Sequence, residues 1–143
     1  MKILFIGHIV GSGLDYLETH LPELIGQHQP DFIVASAENL ELSGTSSFVI
    51  AGMSAASLAR LRALGVDAVT GGNHSWDGIE GYHVHSDPHV LRPLNYGMTA
   101  PGRGATILYK GGLRLRVVNL ASYDTPPFAN DPQSPSKEPP SLT

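Results

Sequence analysis

Gly71-Gly72-Asn73-His74-Ser75-Trp76-Asp77 sets a carboxamide beside an imidazole directly after a short apolar run, Val66-Asp67-Ala68-Val69-Thr70. An amide oxygen can ligate a hard cation, and an imidazole can move a proton near neutral pH. The two glycines ahead of them let the backbone turn sharply. Two other apolar runs end in comparable chemistry. Ile3-Leu4-Phe5-Ile6 leads into Gly7-His8, and Phe32-Ile33-Val34-Ala35 leads into Ser36-Ala37-Glu38-Asn39. If the three runs are neighbouring parallel strands, their carboxyl ends share one edge, where ligands bind in open α/β sheets. His8, Glu38, Asn39 and Asn73 are then candidate metal ligands, and His74 is the candidate proton donor. A mixed nitrogen and oxygen set suits Mn, Fe or Zn better than a soft metal. A pair of such ions could hold a phosphate and activate water for in-line attack. Taken singly, each residue is equally a turn or cap residue: Asn39 and Asn73 could bond their own turns, and His74 could be a satisfied, partly buried imidazole. The coincidence at three strand ends is what favours chemistry.

The elements that must position these groups are legible in the apolar periodicity. Ile3–Ile6 reads as a strand buried on both faces. Leu14, Leu17, Leu21, Leu24 and Ile25 recur at helical spacing, and Pro22 within them predicts a kink or a restart. Phe32–Ala35 is a second strand. Ser54 caps a helix carrying Leu58, Leu61 and Leu64, with Gly65 as its stop, and Val66–Thr70 is a third strand. Strand, helix, strand, helix, strand implies a parallel sheet with right-handed crossovers. Ala105–Tyr109 and Leu113–Leu120 flank Lys110-Gly111-Gly112 and read as an antiparallel hairpin that extends or caps the sheet. The fold class is therefore α/β, a mostly parallel sheet with helices on its faces plus an antiparallel hairpin. Residues 1–125 form one α/β domain, and 126–143, rich in proline, read as a disordered tail.

Composition bounds the functional classes. The chain has 143 residues, 41% of them apolar, which suffices for one domain with a core. A net charge of −4 gives no strong nucleic-acid-binding signal. The absence of cysteine removes disulfides and thiolate metal sites and fits a reducing cytoplasm. The N-terminal apolar run is too short for a signal segment or a membrane span.

Other signals are weaker. His83, His85 and His89 could offer a His-x-His metal pair on a strand, but Ser86-Asp87-Pro88 between them reads as a turn, so a solvated loop is expected. Gly11-Ser12-Gly13 lacks the third glycine of a dinucleotide loop. Arg60, Arg62, Arg114 and Arg116 are spaced as exposed faces. Trp76 is placed to pack the loop that carries His74.

Several blocks together resemble the bacterial YmdB-like, calcineurin-type metallophosphoesterases. They are Met1-Lys2-Ile3-Leu4-Phe5-Ile6-Gly7-His8-Ile9-Val10-Gly11, Pro30-Asp31-Phe32, Ala37-Glu38-Asn39, Gly72-Asn73-His74-Ser75-Trp76-Asp77, Leu91-Arg92-Pro93-Leu94-Asn95-Tyr96 and Pro101-Gly102-Arg103-Gly104. The resemblance spans roughly residues 1 to 120 and implies part of a four-layer α/β fold around a divalent metal pair, Fe or Mn, with Zn or Mg as alternatives. It implies phosphodiesterase activity on a small phosphodiester or nucleotide such as a 2′,3′-cyclic nucleotide. Position by position, Glu38, Asn39 and Asn73 match metal ligands and His74 matches the general acid. The chain departs from the pattern in four places. His8 stands where the family has a metal-binding aspartate. The family's remaining ligands, histidines of a C-terminal half, have no counterpart after residue 120. Leu40-Glu41-Leu42-Ser43-Gly44 alters the loop after Glu-Asn, and Ser12-Gly13-Leu14-Asp15 stands where an arginine is expected. Two readings follow: a metal-dependent phosphodiesterase represented by its N-terminal half, or a degenerate or truncated relative that binds a nucleotide or a protein without turnover. Sheet surface left bare by a missing half also predicts self-association.

Overall fold

The structure is a computed structural model that describes residues 1–45, 48–77, 80–96 and 99–122. Four strands, β1 (Ile3–Ile6), β2 (Phe32–Ser36), β5 (Ala68–Thr70) and β6 (Val90–Leu91), form a parallel sheet in the order β1-β2-β5-β6. Between them come helix α1 (Gly13–His28), the antiparallel pair β3 (Ser43–Thr45) and β4 (Phe48–Ile50), helix α2 (Ala55–Ala63) and the short helix α3 (Gly81–Val84). The hairpin β7 (Ala105–Lys110) and β8 (Leu113–Val118) closes the described fold.

Strand alternation sorts the core into two layers. Ile33, Ala35, Val69 and Val90 point to one face and pack with Leu14 of α1, Leu58 and Leu61 of α2 and Val84 of α3. Phe32, Val34 and Ala68 point to the other face and meet Leu108, Leu113, Leu115 and Val117 of the hairpin. The hairpin thus caps the sheet and does not lengthen it. Phe32, Leu21 and Leu61 are fully buried, each contributing about 1.5–3 kcal/mol of transfer free energy.

Local chemistry explains the boundaries. Ser54 Oγ accepts from the Ser57 N–H at the start of α2. At its end Gly65 takes φ +87°, while its N–H reaches Arg62 O and the Val66 N–H reaches Leu61 O, closing the helix with a left-handed residue. Gly111 and Gly112 both have positive φ, which the tight β7–β8 turn requires.

Two expectations change. Helix α1 runs unbroken through Pro22, with no restart. Strand β1 is not buried on both faces: it is the sheet's edge, and Ile3 and Phe5 remain 47% and 61% exposed. In register Ile3 lies beside Phe32 and Phe5 beside Val34, so both face the hairpin's side, where the hairpin covers the neighbouring strand. A groove of about 380 Å³ lies there, lined by Ile3, Phe5, Leu115, Val117 and Leu120 among others. The sequence reading of 126–143 as a disordered tail lies outside the described residues, as do the last residues of the 1–125 domain.

Candidate active site

The carboxyl ends of β1, β2 and β5 continue past the sheet in register. The Ile9 N–H donates to Ser36 O (3.0 Å) and the Ala37 N–H to Thr70 O (3.0 Å). Val10 bridges Asn39 in parallel, and the Gly71 N–H reaches Leu91 O (2.9 Å), bringing the end of β6 to the same edge. The expected convergence of three strand ends is therefore met by the backbone.

Two polar groups stand on this edge. In the first, Glu38 Oε1 accepts from His8 Nδ1 (3.1 Å), and Asn39 Nδ2 donates to His8 Nε2 (3.3 Å). His8 has φ +46°, a left-handed backbone unusual for a non-glycine residue and costing roughly 1–2 kcal/mol. Its ring is bonded on both sides to the end of the neighbouring strand, which holds that conformation. In the second, His74 Nδ1 donates to Asp77 Oδ2 (2.8 Å), and Asn73 Nδ2 donates to His74 Nε2 (3.1 Å). Asn73 and His74 lie in a single 3₁₀ turn, Gly72–His74.

The two groups meet through Gly72. Its φ is +53°, and a Cβ there would collide with Glu38 Oε2. Gly71, with an ordinary backbone, is constrained by packing alone, since a Cβ would come within 2.5 Å of Ser75 Oγ and 2.9 Å of the Met53 side chain. The absence of a side chain at Gly72 is therefore what lets the ends of β2 and β5 touch.

A second layer of residues supports the turn. Trp76 is buried, its Nε1–H donates to Pro101 O (3.3 Å), and its ring meets Tyr96 edge-on at 5.3 Å, so it packs the loop as its size implied. His85 is no member of a metal pair on a strand. It follows α3, is buried, and directs Nε2 at Ser75 O (2.8 Å) and Nδ1 at Val90 O (3.4 Å). Burial lowers its pKa, against the two carbonyls, which raise it. The solvated-loop expectation fails for this residue because α3 folds it under the turn that carries His74. Buried Arg92 donates to the carbonyls of Pro93, Tyr96 and Ala100 and shapes the loop behind Trp76. Glu41, in the loop that departs from the family pattern, accepts from the hydroxyls of Ser54 and Ser57 and so ties that loop to the start of α2. Burial raises its pKa, and these hydroxyls more than reverse that, leaving it below the ordinary value.

The sequence assigns no site role to Asp77 or Arg92, and offers His85 only as a metal ligand, not as a support beneath the His74 turn. The signal for Asp77 was present, since an acid three residues after a histidine in a tight turn can reach its ring. Burial of Arg92 and His85 depends on contacts that no local pattern reveals.

The donor chemistry bears directly on metal binding. Among the described residues, no group of three or more His, Asp and Glu is placed to hold a metal ion. The set at the edge is one imidazole, one carboxylate and two carboxamides. That set does not suit a pair of ions, which needs more anionic oxygen or more imidazole. Among the described residues no helix is long and apolar enough to cross a membrane.

The chain is similar to known proteins along most of its length. The chain is 34% identical over 134 residues to the 2′,3′-cyclic-nucleotide 2′-phosphodiesterase of Bacillus subtilis (strain 168), a match covering 92% of this chain and 48% of that protein. A crystal structure of a hypothetical protein from Thermus thermophilus superposes with a TM-score of 0.72 at 36% identity, covering 84% of this chain and 44% of the other. A phosphatase from Mycoplasma pneumoniae superposes with a TM-score of 0.76 at 25% identity, covering 88% and 44% respectively. The chain thus spans about half the length of the curated relatives it matches. The sequence profile described as YmdB-like protein matches residues 4–133, and on that match the chain belongs to the YmdB-like family.

Proposed function

We propose that this chain carries the proton-donating half of a phosphodiesterase site and acts on small phosphodiesters, 2′,3′-cyclic nucleotides among them. The observation that carries the reading is the Asn73–His74–Asp77 line-up at the end of β5, packed through Gly72 against Glu38 at the neighbouring end of β2. Asp77 fixes the His74 tautomer by accepting from Nδ1, which leaves Nε2 as the atom that exchanges a proton with substrate. Protonated at Nε2, the ring is an imidazolium stabilised by the Asp77 carboxylate, and it can protonate the departing alkoxide. In the arrangement described, Nε2 accepts from the Asn73 amide, so loading the proton requires that hydrogen bond to be released.

Glu38, Asn39, Asn73 and His8 are the residues that would hold a divalent cation. When bound, such a cation supplies a nucleophilic water and offsets charge on the phosphate. A second ion, Fe or Mn by family resemblance, needs ligands from outside the described residues.

The test is hydrolysis of bis-p-nitrophenyl phosphate and of 2′,3′-cyclic AMP with added Mn²⁺. Turnover that His74→Ala removes supports the reading. If the unaltered chain shows no turnover on either substrate but binds the cyclic nucleotide in equilibrium dialysis, the chain is a binding module and the catalytic reading is wrong.

A further inference from the structure

We infer that two copies of this chain join along the free edge of β1, antiparallel, with Leu4 on the two-fold axis. Among the described residues β1 has β2 as its one strand neighbour. The opposite edge of the sheet is short and shielded: β6 has two residues, and its Leu91 is bridged by Arg103. The β1 edge, Ile3-Leu4-Phe5-Ile6, runs in unbroken register and carries no proline, charge or bulge of the kind that blunts an exposed strand.

The direction of the backbone groups selects the register. Lys2 O accepts from the Phe32 N–H, so residues 2, 4 and 6 aim their main-chain groups at β2. Alternation then turns the N–H and C=O of Ile3 and Phe5 outward. With Leu4 on the axis, Ile3 of each copy lies opposite Phe5 of the other, and each such pair exchanges both of its hydrogen bonds. A slip of one residue would set outward-facing groups against inward-facing ones and send the apolar side chains to opposite faces. Lys2 falls opposite Ile6, so no like charges meet across the seam.

The side chains agree with the backbone. Ile3 and Phe5 share the face that carries the hairpin and line the groove with Leu115, Val117 and Leu120. The pairing sets an aromatic ring against a β-branched residue on each side of the axis, a favourable cross-strand contact. Met1, Ile3, Phe5, Val118 and Leu120 are 43% to 66% exposed. At ~200 Å² for a large side chain, they leave roughly 550 Å² of apolar surface on each copy. A standard interface buries about 800 Å² per partner, of which about 65% is apolar in homodimers, so the patch is the size a stable dimer needs.

The experiment is sedimentation equilibrium of the full chain over roughly 1–200 µM, the weak end of the range for interfaces of this size. The proteins are the unaltered chain, Ile3→Glu, Phe5→Lys and the double variant, with circular dichroism as the check on folding. The unaltered chain is expected to dimerise, and each single substitution to raise the dissociation constant about thirtyfold or more. The double variant is expected to bind more tightly than either single one, because opposite charges then face each other across the axis. Amide exchange gives a reading that needs no variant: the Ile3 and Phe5 amides are protected in concentrated protein and exchange on dilution, while the Leu4 amide, turned toward β2, stays protected at both. A monomer across the range, a dimer indifferent to both substitutions, or a double variant no tighter than the single ones overturns the inference. Protection of Ile3 and Phe5 in a monomer also overturns it, and makes residues 123–143 of the same chain the cover of this edge.

Discussion

The two ends of the sheet both carry clusters of polar and charged side chains, and they use them differently. At the amino end, Arg62 donates to Val66 O (3.0 Å) and Asp67 O (2.8 Å) and pairs with Asp87 (3.0 Å). Asp67 accepts from the Ile33 N–H (2.8 Å) and pairs with Lys110 (3.3 Å). These residues line a cleft of about 480 Å³, yet their strongest contacts are to main chain. At the carboxyl end the pattern inverts: His8, Glu38, Asn39, Asn73, His74 and Asp77 bond chiefly to one another. A cluster anchored on backbone holds strands in place. A cluster of side chains that satisfy each other can exchange partners with a ligand at little structural cost. Cleft volume alone points to the amino end.

The contrast can be broken or sharpened in order of expected effect. His74→Ala should lower phosphodiester turnover by about 10²–10⁴-fold while leaving the melting temperature within a few degrees, measured by steady-state hydrolysis and calorimetry. Equal loss of stability and activity would make the carboxyl-end cluster structural. Gly72→Ala should cost about 3 kcal/mol in urea unfolding, because the left-handed backbone and the Glu38 carboxylate both oppose a methyl group there. Arg62→Ala should cost about 2 kcal/mol through its lost bonds to carbonyls, with hydrolysis by the folded fraction unchanged. A drop in turnover per folded molecule would erase the distinction between the two ends.

The smallest effect concerns pH. The folded His85 pKa lies below its ordinary value of 6.5, so between the two values the unfolded chain binds more protons than the folded one. His85 thus contributes stability that is present above pH 6.5 and is lost as pH falls below it. The melting temperature should decline from pH 7.5 to 5.5, and His85→Gln should flatten that decline. Equal slopes in both proteins would show that His85 is not neutral beneath the His74 turn.

Much of the fold was legible because its longer elements repeat their apolar residues with a clear period. The α1 and α2 stripes and the Gly-Gly hairpin all stand where that period predicts. Strand β6, Val90–Leu91, is two residues long and escaped notice, as did β3 and β4, because such lengths carry no period. The exposure of β1 was misread because apolar content does not say which strand lies at an edge. At the site, the convergence of positions 8, 38, 39, 73 and 74 followed from parallel topology alone. The partnerships did not: His8 and Glu38 are 30 residues apart, and their contact depends on the register of β1 against β2.

The fit of Gly72 against Glu38 ties the fate of two distant codons together. A side chain at residue 72 meets both the strain of its own left-handed backbone and the Glu38 carboxylate, so shortening residue 38 should relieve only the second part of that cost. A double-mutant cycle on Gly72→Ala and Glu38→Asp should therefore be strongly non-additive, and libraries randomised at both positions should return correlated pairs. For anyone redesigning this protein, the smallest replaceable part of the edge is not a motif but a pair of strand ends.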